Sequence, residues 1–250
     1  MTELTTTSET LGFRYDSRGE SQRTGYEVNG LSLAIRGTIP LPAEVTSSRL
    51  GQMYLKRLID MVASSLLLLM FLPLFLITAL AIRINSRGPI LFSQLREGLD
   101  GRIIRVWKFR TMKIDQQDVS GVCQTSVDDD RVTTVGRLLR RANIDELPQL
   151  FNVIIGDMSL IGPRPHPLNM LAAGMAYSEY VPYYRHRLAM RPGITGWAQC
   201  NGLRGPTVDP IGARSRIDHD IAYIQNFSLF LDAKIVWRTV IQECSGGTGI

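Results

Sequence analysis

Polar and apolar residues are distributed unevenly along the chain. From Met1 to Gln52 no apolar period is sustained, and Ser, Thr, Gly and Glu are frequent. Such a stretch reads as a flexible polar arm over 1–52, with one short extended piece from Leu31 to Ile35. From Met61 to Ile82 the pattern reverses. The run MVASSLLLLMFLPLFLITALAI carries no charge. Its apolar side chains point all round a helix rather than to one face, as a lipid-embedded helix requires. As a helix it extends roughly 33 Å, against about 30 Å for a bilayer core. Pro73, near the middle, removes a backbone hydrogen bond and bends the helix. Lys56 and Arg57 precede the run, and Arg83 and Arg87 follow it. Basic flanks favour the cytoplasmic side, so two of them predict a re-entrant helix–break–helix over 53–87 rather than a straight span. A break within lipid frees backbone groups that need partners, for which Ser64 and Ser65 are the candidates.

Beyond this run the elements shorten. Ser86 to Pro89 is a turn signal. Ile90 to Gln94 and Ile103 to Phe109 read as strands around the turn at Gly98 to Gly101. Val132 to Arg141 has helical spacing, with Val135, Leu138 and Leu139 on one side and Arg137, Arg140 and Arg141 on the other. Pro148 is tolerated only in a first helical turn, which places a helix start near Asp145 with Asp145 as its cap. Phe227 to Gln242 reads as an amphipathic helix carrying Leu231, Ile235, Trp237 and Val240. A membrane interface and ordinary packing explain it equally well. The pattern predicts an α+β, mostly helical fold: a small cytoplasmic domain over 88–244 attached to one Pro-broken membrane helix, with a tail at 245–250.

Composition narrows the field. The chain has 250 residues, 44% hydrophobic and 20% charged, which excludes disorder throughout. Its three cysteines, Cys123, Cys200 and Cys244, exclude a disulfide framework, and with three histidines they argue against a zinc site. No cysteine lies in a thiolate-activating motif. No charged start leads into an apolar stretch at the N-terminus, so no cleavable signal peptide is expected. The net charge of +5 suits an anionic membrane face or phosphorylated substrates. No nucleic-acid motif accompanies it, so nucleic acid is not an expected partner.

Asp145-Glu146 is the candidate for chemistry. An ionised carboxylate attacks phosphorus, and a neighbouring one holds a divalent metal that neutralises phosphate oxygens. Alone, the pair reads as a helix cap. Three cationic motifs change its weight. Lys108 and Arg110 end a strand, Arg164 sits in the stiff turn Gly162 to Pro167, and Arg191 opens the rigid loop Arg191 to Trp197. Prolines restrict such loops, which can then hold a guanidinium ready for a phosphate. His166 reads more readily as a turn residue than as a phosphate contact. His186 reads as part of a basic surface helix, and His219 as structural.

In this order KFRTM, DELPQLFNVIIGDMSLIGPRP and RPGITGWAQ, after one hydrophobic segment, closely resemble the bacterial sugar transferase family, the monotopic polyprenyl-phosphate phosphoglycosyl transferases. The resemblance runs from about Lys56 to Glu243. It implies that Asp145 is the nucleophile and Glu146 its Mg2+-binding partner. It places Lys108, Arg141 and Arg164 near the phosphates and makes Asp220 an additional active-site acid. The family often has Ser-Pro at the membrane break, where this chain has Leu72-Pro73. Asn201 to Gly205 looks like the branch that transfers hexose-1-phosphate in exopolysaccharide synthesis, a branch that often carries extra N-terminal membrane helices. The resemblance implies a catalytic domain at the cytoplasmic face of the inner membrane. There it would move hexose-1-phosphate from a UDP-sugar, UDP-glucose or UDP-galactose, to undecaprenyl phosphate through a covalent aspartyl intermediate, releasing UMP. Membrane lipid is then a partner, and self-association or contact with downstream glycosyltransferases stays open. The alternative is a membrane-anchored scaffold without catalysis, which gives Asp145-Glu146 no use.

Overall fold

The computed structural model describes residues 26–28, 31–33, 47–114 and 129–245. Most of the expected arm, the end of the tail and Cys123 lie outside them. Within the arm, β1 (Tyr26–Val28) and β2 (Leu31–Leu33) pair antiparallel, so a strand does begin at Leu31.

The apolar run forms two helices. α1 (Ser47–Met70) and α2 (Leu72–Asn85) meet at Phe71 with a bend of 60°. Pro73 lies in the first turn of α2, where its missing N–H removes no helical bond. The break therefore falls just ahead of the proline, whose ring would clash with a continuing α1. Neither helix alone is long and apolar enough to cross a membrane, whereas the bent pair has the length and composition of a broken span or a re-entrant loop. Ser64, an expected partner, is buried, yet its hydroxyl makes no hydrogen bond among the described residues. Backbone bonds carry the chain across the break instead. Phe71 N–H donates to the Leu67 carbonyl and Phe75 N–H to the Phe71 carbonyl, each at 2.9 Å.

β3 (Leu91–Glu97) and β4 (Ile103–Phe109) then form an antiparallel pair with Leu91 opposite Phe109. The period of two that buries Ile104 and Val106 carries Lys108 onto the same face. α3 (Thr134–Arg141) starts at a Thr133 cap, whose hydroxyl accepts from Gly136 N–H at 2.9 Å. Val132 lies before this helix and bridges to Met112, and Leu138 is exposed rather than packed beside Leu139. A 3-10 turn, Ile144–Glu146, leads into α4 (Gln149–Ile155). Asp145 is thus no helix cap. Asn143 is left-handed at φ 53° and turns the chain so tightly that Asp145 sits in the 3-10 turn, while Pro148 stands directly before α4.

The remainder encloses the site from the other side. β5 (Ser159–Ile161) pairs parallel with β8 (Gly193–Thr195); between them lie the hairpin β6 (Leu171–Ala172) and β7 (Met175–Ala176), α5 (Tyr177–Tyr180) and a 3-10 turn at Tyr184–Ala189. α6 (Trp197–Cys200), α7 (Pro210–Gln225) and α8 (Leu229–Cys244) complete the domain. Packing covers only part of the apolar face of α8. Leu231 and Ile235 are buried, but Phe230, Trp237 and Val240 are exposed. His186 lies half-buried in the 3-10 turn at Tyr184–Ala189, between the exposed Arg185 and the buried Arg187, rather than on a longer surface helix. His219 is structural, as expected: it is buried, with Nδ1 2.7 Å from the Ser215 carbonyl.

One core cluster joins Trp197, Tyr223 and Ile235; another joins Ile82, Phe109 and Leu139 and so ties α2 to β4 and α3. Each such side chain contributes about 1.5–3 kcal/mol by leaving water. Polar contacts fix α1. Lys56 Nζ lies 2.7 Å from Asp232, which also accepts from the Tyr223 hydroxyl at 2.7 Å. Asp60 accepts from the Ser159 hydroxyl at 2.8 Å. Arg57 donates to the carbonyls of Val153 and Ile154 at 2.5 and 2.8 Å, capping α4. The bend thereby keeps a fixed place relative to the domain.

Candidate active site

A cavity of about 700 Å³ opens between the end of β4, the 144–146 turn and the Gly162–Pro167 loop. Leu67 and Phe71, at the bend, form part of its wall, and Val236 and Val240 of α8 form another part. Its polar part holds Asp145, Glu146, Lys108, Arg164, Arg96 and Arg140.

The two acids differ electrostatically. Glu146 Oε1 accepts from Lys108 Nζ at 2.6 Å, while Arg164 grips both carboxylate oxygens, with Nη1 3.1 Å from Oε2. Burial opposes its charge, but the Arg164 and Lys108 cations and their hydrogen bonds outweigh burial and hold Glu146 far below the usual carboxylate range. Asp145 makes no such pair among the described residues. Burial pushes its carboxyl up to about 6, Lys108 pulls it down, and the Glu146 anion adds to the rise. It is 7% exposed and ionised at neutral pH. The arrangement leaves one uncommitted carboxylate facing a polar cavity rich in cations.

Lys108 and Arg164 stand where the sequence put them. Four other assignments do not reach the cavity. Arg110 turns its guanidinium to the backbone after α2, donating to the carbonyls of Arg87 and of Ser86, the latter at 2.8 Å. Those carbonyls have no helical partner, and an arginine supplies one. Arg141 is exposed at the end of α3. Arg191 donates to the Gly156 carbonyl at 3.0 Å, closing α4 together with Arg57. Asp220 is buried against Arg187 at 2.9 Å, and Arg187 in turn donates to the Arg164 carbonyl at 2.5 Å. Asp220 is therefore a positioning residue for the loop that carries Arg164.

Arg96 and Arg140 are among the cavity cations that were missed. Arg140 replaces Arg141: a Cβ on Gly136 would meet the Thr111 carbonyl oxygen at 2.1 Å, so only glycine lets α3 approach this closely. One turn on, Arg140 Nε donates to the Thr111 hydroxyl at 2.9 Å. The small residue in the helix was the available signal. Arg96 lies on the part of β3 beyond the expected strand end at Gln94, and donates to the Pro165 carbonyl at 3.0 Å. Extending the alternation by two residues would have found it.

Among the described residues no three His, Cys, Asp or Glu side chains converge as a metal cage. Magnesium needs none: one or two carboxylates, water and substrate phosphates suffice. The oxygens of Asp145 and Glu146 are of the hard type that this ion takes, with those of Glu146 already accepting from Lys108 and Arg164. Cys200 is buried, which raises its thiol to about 11, so it is no nucleophile.

The sequence matches a known family. The chain belongs to the bacterial sugar transferase family, whose model matches residues 51–246. It is 51% identical over 195 residues to an exopolysaccharide production protein of Rhizobium leguminosarum bv. phaseoli, covering 78% of this chain and 98% of that protein. It is 50% identical to the UDP-glucose:undecaprenyl-phosphate glucose-1-phosphate transferase of Caulobacter vibrioides, covering 83% of this chain and 74% of that one. A protein of the same description from Escherichia coli K12 is 45% identical over 75% of this chain; the match spans 40% of that longer protein.

Proposed function

We propose that this protein is a phosphoglycosyl transferase that moves hexose-1-phosphate from UDP-glucose or UDP-galactose to undecaprenyl phosphate at the cytoplasmic face of the inner membrane. The observation that carries this reading is the single uncommitted carboxylate of Asp145 in a cavity walled by Lys108, Arg140 and Arg164. Cations fixed around a nucleophile stabilise the charge that develops on phosphoryl oxygens. The descriptions of the Caulobacter and Escherichia relatives support the same reaction class.

In the first half-reaction a carboxylate oxygen of Asp145 attacks the phosphorus that bears the hexose. The bond from that phosphorus to the bridging oxygen breaks, and its electron pair leaves with UMP. The hexose phosphate is now joined to Asp145 as an acyl-phosphate. In the second, an oxygen of polyprenyl phosphate attacks the same phosphorus. The bond to Asp145 breaks, the carboxylate is restored, and the lipid carries a diphosphate-linked hexose. Lys108, Arg164 and Arg140 orient the phosphoryl oxygens, and Asp145 carries no proton in either step. Magnesium, held by Glu146 with the donor's phosphate oxygens, would supply further neutralisation of the diphosphate. The wall formed by Leu67 and Phe71 supports a lipid acceptor that arrives from the bend.

The test is UMP release by the full chain in detergent across a panel of UDP-hexoses. Without polyprenyl phosphate we expect about one UMP per protein, and with it continuous turnover. No release from any UDP-hexose would overturn the reading.

A further inference from the structure

The ring of His166 is 2% exposed and forms part of the cavity wall. Burial first, and then the charges of Arg187, Arg216, Arg96 and Arg164, hold it well below the ordinary histidine range, so it is neutral. Its tautomer follows from its partners. The Tyr184 hydroxyl gives its one proton to Glu97, so toward His166 it accepts. His166 Nδ1, 3.1 Å away, therefore carries the ring proton. Nε2 is left as a bare acceptor, and it is buried without a partner among the described residues. Gln199 repeats the pattern in the same cavity. Its amide nitrogen donates to the Ile194 carbonyl at 3.0 Å, and its Oε1 has no partner.

A bare acceptor cannot pair with an ionised phosphate oxygen, which accepts as well. It requires an O–H or N–H group. A UDP-hexose has these only away from its phosphates, on the nucleoside and on the sugar. We propose that His166 is a specificity-determining residue, accepting through Nε2 a hydrogen bond from a neutral O–H or N–H on the non-phosphate part of the donor. Gln199 is the second acceptor for the same part. This rests on the transfer reaction proposed above, and it turns a histidine set in a cationic loop from an anion contact into a reader of neutral groups.

Three variants of the full chain test it in detergent. His166→Phe keeps an aromatic ring against Tyr177 and Tyr184 but has no acceptor. We expect its KM for UDP-glucose to rise about tenfold with kcat little changed, the size expected when a buried donor loses its acceptor. His166→Gln, which can present an oxygen, should recover most of the affinity. Tyr184→Phe releases the Nδ1 proton from its only acceptor and should raise KM in the same direction, serving as the readout if the Phe variant melts early.

Two arms separate the sources of the donor group. If UMP inhibits His166→Phe about tenfold more weakly, the group is on the nucleoside. If UMP is unaffected and one monodeoxy analogue of UDP-glucose binds wild type and variant alike, it is on the hexose. An unchanged KM in His166→Phe, or an equal weakening of inhibition by pyrophosphate, would overturn the proposal. UMP binding measured by calorimetry in every variant keeps the test distinct from the transfer reaction. Wild type that binds UMP but releases none from UDP-hexoses would contradict the reaction and leave the histidine contact to be read from the UMP arm.

Discussion

Asp145 and Glu146 are chain neighbours with opposite shifts, and the difference predicts how activity follows pH. In the proposed reaction Asp145 attacks only as the anion, and burial pushes its carboxyl up to about 6. The UMP burst should therefore rise as pH passes through about 6 and level off above it. Stability runs the other way. A carboxyl raised above its unfolded value binds its proton more tightly when folded, so folding weakens as pH climbs from 3.8 to about 6. Asp145→Asn should abolish the burst yet gain about 1–3 kcal/mol of stability at pH 7.5, with the gain fading below pH 4. Equal melting of variant and wild type at both pH values would contradict the burial of that charge. The Glu146 anion is one cause of the Asp145 rise. Glu146→Gln should thus lower the midpoint of the residual pH profile below 6 while reducing the rate about a hundredfold. An unmoved midpoint would uncouple the two acids. The sequence picked out Asp145, Lys108 and Arg164 through the motifs that carry them, and the structure brings all three into one cavity. The sequence could not make Arg110 and Arg191 legible as they are. Both look like phosphate cations until the carbonyls at Ser86, Arg87 and Gly156 are seen to need donors.

At the level of elements, the site depends on how closely α3 reaches β4. Gly136 has no room for a methyl group against Thr111, and this contact places Arg140. Gly136→Ala should push α3 outward, costing about 1–3 kcal/mol and lowering the burst rate, because Arg140 loses its place. Equal stability and rate would show that α3 tolerates the shift. The strands of the β3–β4 hairpin were legible from their alternation and the bounding glycines. The helix start near Asp145 was not, because the left-handed Asn143 redirects the chain and a single proline does not distinguish a 3-10 turn from an α-helix. Amphipathicity likewise misplaced Leu138. A helical period shows that a face is apolar, not that another element covers it.

On the scale of the whole molecule, the bent pair and the cavity belong to one construction: Phe71 at the break shares a wall with Asp145. We predict that both ends of the pair lie on the cytoplasmic side. Single cysteines at Gly51 and Asp100, in a background lacking Cys123, Cys200 and Cys244, should resist a membrane-impermeant thiol reagent in intact cells and react after lysis. Gly51 has open space around it and Asp100 is exposed, so a cysteine at either position is reachable by the reagent. Labelling of one site from outside would indicate a span. The break itself was legible from Pro73 and two basic flanks. Its contact with the site was not, since it arises from the Lys56–Asp232 and Asp60–Ser159 contacts, between residues far apart in the chain.

The central claim is that Asp145 carries the phosphosugar between donor and lipid. Its most direct test is mass spectrometry of the full chain after brief incubation with UDP-glucose and magnesium, without polyprenyl phosphate. The account predicts one added hexose phosphate, mapped to the peptide holding Asp145, absent from Asp145→Asn and discharged when polyprenyl phosphate is supplied. Turnover to lipid-linked product with no adduct at any time, or an adduct that survives Asp145→Asn, would contradict it.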